Sequence, residues 1–81
     1  MFEQINELID VVAEFKGNKL LPVKFIWHSK EFIVKKLNLA YSKREGRGKF
    51  YYFAVSDGAN YFKLQFNAEN LNWVLLETYV E

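Results

Sequence analysis

The spacing of apolar residues changes at Pro22, and this limits what the chain can become more than any single motif does. Before Pro22, the residues Phe2, Ile5, Leu8, Ile9, Val12 and Phe15 recur at intervals of three and four, which gathers them on one stripe of a helix. Glu3, Glu7, Asp10 and Glu14 occupy the other face. Lys16 near the end, and Gly17 or Asn18 just beyond it, suit a helix C-terminus. The spacing predicts an amphipathic helix over about 2–16. Such a helix is marginal alone, so its stripe must pack on the rest of the chain.

From Pro22 onward the period is two. Proline pushes Leu21 into extended geometry, and Val23, Phe25 and Trp27 then alternate with Lys24, Ile26 and His28 to give a strand over 22–28. A second strand, 31–41, changes the parity of its apolar residues at Lys35-Lys36, which predicts a β-bulge and a bent sheet. Ser42 to Lys49 has two glycines, five charges and no apolar residue, and reads as an exposed hairpin loop. Strands over 50–55, 61–66 and about 71–80 follow. Asp57-Gly58 predicts a two-residue type I′ turn, and Asn67 to Asn70 a type I turn with Asn70 at positive φ. The predicted fold class is α+β: an N-terminal amphipathic helix followed by a five-stranded antiparallel, strongly curved meander or small barrel. With 81 residues, one domain spanning 1–81 is expected.

From Pro22 to the C-terminus the chain resembles a family of small, functionally uncharacterised bacterial β-domains, some of which occur near DNA-repair genes. The residues that carry the resemblance are Pro22, Phe25, Trp27, Phe32 and Val34, then Tyr52, Val55 and Asp57-Gly58, then Tyr61, Leu64, Trp73 and Leu75. They cover residues 22–81 and leave 1–21 unmatched. The tryptophans that such domains carry near the loop 42–49 are missing. These positions are core rings, turns and strand interiors, so the resemblance implies a fold and supplies no chemistry.

Aromatic residues make up 19% of the chain and cysteine is absent, which excludes a disulfide framework and thiolate chemistry and favours a cytoplasmic location. The first fifteen residues interleave acids with apolar residues, unlike a signal peptide, and no stretch is long and apolar enough to span a membrane. His28 is the only histidine and has no second His or Cys to complete a metal site, so it reads as an ordinary strand histidine. Without a phosphate loop, a nucleophile motif or a placed acid–base pair, no catalytic, cofactor-binding or metal-binding residue is expected, and the chain reads as non-enzymatic.

Charge is distributed unevenly. Residues 1–15 hold four acids and no base, residues 16–49 hold ten bases against two acids, and residues 50–81 hold one base against four acids. A basic middle either complements the chain's own acids or attracts a polyanion. The candidate nucleic-acid contacts are Lys43, Arg44, Arg47 and Lys49 for phosphates and Tyr51 for base stacking. The other reading is a protein-interaction module or homodimer, in which a partner covers rings and strand edges that so small a domain cannot bury.

Overall fold

The computed structural model describes residues 1–79 and contains seven antiparallel strands with no helix among them. They are β1 (Phe2–Lys16), β2 (Lys19–Trp27), β3 (Lys30–Ile33), β4 (Lys36–Glu45), β5 (Gly48–Ser56), β6 (Tyr61–Asn67) and β7 (Trp73–Tyr79). Their order in the sheet is β3-β2-β1-β7-β6-β5-β4. Val80, placed in the last strand on sequence grounds, lies outside the described residues.

The expected helix is therefore corrected to the longest strand, and the α+β class to all-β. In β1, Ile9 is buried and Val11 and Ala13 are half-buried, a period of two, while Leu8, Val12 and Phe15 are exposed. The helical spacing arises because exposed Phe2, Leu8 and Val12 on one face interleave with Ile5 and Ile9 on the other, so that apolar residues of both faces fall three and four apart. The left-handed Asn6, φ 55°, marks a bulge where the register with β7 shifts between Gln4 and Glu7. Four β-branched residues (Ile5, Ile9, Val11, Val12) lower the helix preference further. Gly17 does take the left-handed conformation, with φ 64°, but it turns a hairpin between Lys16 and Lys19.

β1 serves two layers. Its N-terminal half, Phe2 to Ile9, pairs with β7, and its C-terminal half, Asp10 to Lys16, pairs with β2. A second corner lies at Val34–Lys35, so the single strand expected over 31–41 with a bulge at Lys35-Lys36 is corrected to two strands, β3 ending at Ile33 and β4 beginning at Lys36. There the chain changes partner: the Val34 amide donates to the Val23 carbonyl on β2 and the Lys35 amide to the Ser56 carbonyl on β5, both at 2.9 Å. Two corners of this kind fold a sheet over on itself. Phe25 on β2 and Phe62 on β6 would be ~14 Å apart across a flat sheet, yet their ring centroids are 5.0 Å apart. The enclosed core is Ile9, Phe25, Phe53, Val55, Phe62, Leu64, Trp73 and Leu75.

Three connections also differ from expectation. The loop 42–49 is mostly strand, since Lys43 pairs with Phe50, Arg44 with Lys49 and Glu45 with Gly48, leaving only Gly46-Arg47 as the turn. The Asp57-Gly58 connection is a four-residue loop between Ser56 and Tyr61. It is held by the Asp57 carboxylate, which accepts from the Ala59 amide at 2.9 Å and the Asn60 amide at 2.7 Å. Near Asn70 the positive φ falls on Leu71, at 64°, because Asn67 closes a wider turn by accepting the Leu71 amide on its carbonyl at 2.8 Å.

Candidate nucleic-acid interface

The two corners leave one seam open. β2 is paired with β3 only from Lys24 to Trp27, and β4 is paired only with β5. The edges of Lys19–Val23 and Lys36–Glu45 therefore diverge from the Val34–Lys35 corner without a strand between them. A cleft of about 360 Å³ lies in this seam, with Lys19, Leu20 and Leu21 on one wall and Ala40, Ser42, Tyr51 and Phe53 on the other. Phe53 belongs to the core, so the cleft reaches the packed interior.

Strand parity sorts the candidate residues around this cleft. Directly paired residues in an antiparallel ladder share a face, so the Ser42–Tyr51 and Arg44–Lys49 pairs lie on the cleft side of β4 and β5. The Lys49 Nζ stands 5.2 Å from the centre of the Tyr51 ring. Arg47 sits at the turn beyond. Lys43 faces the other way, so four of the five candidates reach the cleft or its tip and one does not.

Lys43 instead joins a separate cluster on the outer face. Tyr41 and Tyr52 stack with centroids 5.0 Å apart at an interplanar angle of 15°. Lys43 and Lys63 each stand within about 6 Å of both ring centres, a cation–π distance. Gln65 donates to the Tyr52 hydroxyl at 3.2 Å. Hydrogen bonding to Tyr41 raises the Lys63 ammonium above its ordinary value, against an opposing desolvation. These cations hold two rings in place and leave Tyr52 buried.

Two residues of β1 adjoin the opposite wall through their pairing with β2. Lys16 pairs with Lys19, and Phe15 pairs with Leu20, which lines the cleft. Phe15 shares the face of β1 that carries Ala13 and Val11, but extends past the core and is 79% exposed. Assigned to a helical stripe it reads as core. The available signal was its position two residues before Gly17-Asn18, where a hairpin would place it at a rim.

Six of the ten bases in residues 16–49 thus gather at this end of the molecule: Lys16, Lys19, Lys43, Arg44, Arg47 and Lys49. None of them forms an ion pair with a described residue, whereas Lys24 pairs with Glu31. His28 lies in the β2–β3 turn with φ 51°, its Nε2 3.0 Å from Glu7, and that carboxylate also accepts from Trp27 Nε1 at 3.2 Å. The pair ties a turn to β1. Among the described residues no three His, Asp or Glu side chains converge as metal ligands.

No family model, no curated protein and no solved structure matches the chain. The resemblance to small bacterial β-domains rests on its residues alone.

Proposed function

We propose that the protein is a non-enzymatic module that binds single-stranded nucleic acid across the open seam between β2 and β4. The observation that carries this reading is the gathering of five cations, none in an ion pair with a described residue, near a cleft walled by aromatic and aliphatic side chains. Cations follow a phosphate backbone, and rings stack unpaired bases whatever their identity. Arg44, Lys49 and Lys19 flank the cleft, Arg47 and Lys16 extend the basic track beyond it, and Lys43 lies on its outer border. Tyr51 lines the wall under Lys49, while Phe15 offers an open ring face at the rim.

Fluorescence polarisation of a short labelled oligothymidylate at low salt tests the reading. The parent should bind, and replacing Lys43, Arg44, Arg47 and Lys49 together by serine should abolish the signal. Undiminished binding by that variant, or none by the parent, refutes it. An acidic peptide that displaces the oligonucleotide equally well would show that the seam takes an extended polyanion of either kind, and would also overturn the assignment to nucleic acid.

A further inference from the structure

The outer face of β1, β2 and β3 carries an apolar surface that the fold itself leaves uncovered. Across the three strands one row reads Asp10, Ile26, Glu31 and the next Val12, Lys24, Ile33. Leu8 extends the patch beside Asp10 and meets Val74 of β7. Leu8, Val12, Ile26 and Ile33 are between 44% and 70% exposed. Single exposed aliphatic residues need no explanation, whereas a contiguous group on one sheet face marks an interaction surface.

Its charges identify the partner. Lys24 reaches Glu31 at 3.5 Å within the chain, while Asp10, in the adjoining row, forms no ion pair with a described residue. The surface holds one cation among aliphatic side chains and, one row away, one unmatched acid. Laid on an identical surface about a two-fold axis, each Lys24 can meet the other copy's Asp10, and the aliphatic residues interdigitate as between the sheets of a sandwich.

We infer that the protein forms a homodimer through the outer face of β1, β2 and β3, with reciprocal Asp10–Lys24 ion pairs bordering an aliphatic centre of Leu8, Val12, Ile26 and Ile33. The proposal is independent of nucleic-acid binding, since the open seam lies elsewhere.

Sedimentation equilibrium across a concentration series up to about 1 mM should give a mass approaching twice the 9.6 kDa of one chain. Val12→Glu and Ile26→Glu should each give a monomer with unchanged circular dichroism; both sites face outward, so at least one variant is expected to fold. Asp10→Lys alone and Lys24→Asp alone should each weaken association at least tenfold, and the two combined should recover most of it. A parent that stays at the monomer mass throughout overturns the proposal. So does a dimer that folded Val12→Glu and Ile26→Glu variants leave intact, or a double exchange that recovers nothing.

Discussion

Individual residues carry strain and capping that the chain's architecture imposes on them. Leu71 holds φ 64° with its side chain 69% exposed, so it bears a left-handed penalty of about 1 kcal/mol or more with little packing in return. Leu71→Gly should raise the midpoint of urea unfolding, by up to about 1 kcal/mol in stability. Ser29 presents the same situation. His28 and Ser29 both have positive φ in the two-residue turn between Trp27 and Lys30, the type I′ pattern that glycine favours at its second position. Asp57 is the opposite case, a residue whose chemistry fits its place. Burial pushes its carboxyl up, but hydrogen bonds from the Asn60 and Ala59 amides and the Asn60 side chain outweigh this and hold it below the usual aspartate range. A depressed carboxylate contributes stability that is present above its unfolded value and lost as pH falls through its folded one. Asp57→Ala should therefore cost about 1 kcal/mol near neutral pH, and the difference from the parent should shrink in unfolding measured near pH 2.

At the scale of elements, alternation located β6, and short apolar runs bounded by turn residues located β5 and β7, because each pairs along its length in the ladder. It failed at β1 for a physical reason. This strand carries apolar residues on both faces, Leu8 and Val12 outward and Ile5 and Ile9 inward, and together they fall at helical intervals. The two interpretations make different demands on Ile9 and Phe15, which would be equivalent members of a helical stripe. In the folded sheet Ile9 is buried at the corner and Phe15 is exposed. Ile9→Ala should cost about 2–4 kcal/mol, while Phe15→Ala should leave stability within about 0.5 kcal/mol of the parent, both read from urea unfolding. Equal losses would restore the stripe. The hairpin 42–49 was misread for a related reason. Its charges mark exposure, and exposure in a two-stranded ladder at the edge of a sheet is compatible with strand.

Over the whole molecule, the cations separated by up to 33 positions in sequence, from Lys16 to Lys49, are united by the seam. Sequence alone pointed to the β4–β5 hairpin, since its bases adjoin one another. It could not point to Lys16, Lys19 and Phe15, whose place on the facing wall follows from β1 being a strand and from the sheet folding at two corners. The seam also explains why the hairpin's alternating side chains divide as they do, with Arg44 and Lys49 toward the cleft and Lys43 toward the Tyr41–Tyr52 pair. If the five cations other than Lys43 lie against phosphates, each releases counterions, and the logarithm of affinity for a single strand should fall against the logarithm of salt with a slope of roughly −3.5. Removing Lys16 and Lys19 by serine substitution should reduce that slope by roughly one to one and a half, although neither residue belongs to the hairpin. Phe15→Ala should weaken binding by about 1–3 kcal/mol with the slope unchanged, because stacking releases no counterions. A slope that responds to the hairpin bases but not to Lys16 and Lys19 would confine the ligand to one wall, and the seam would then have no part in binding.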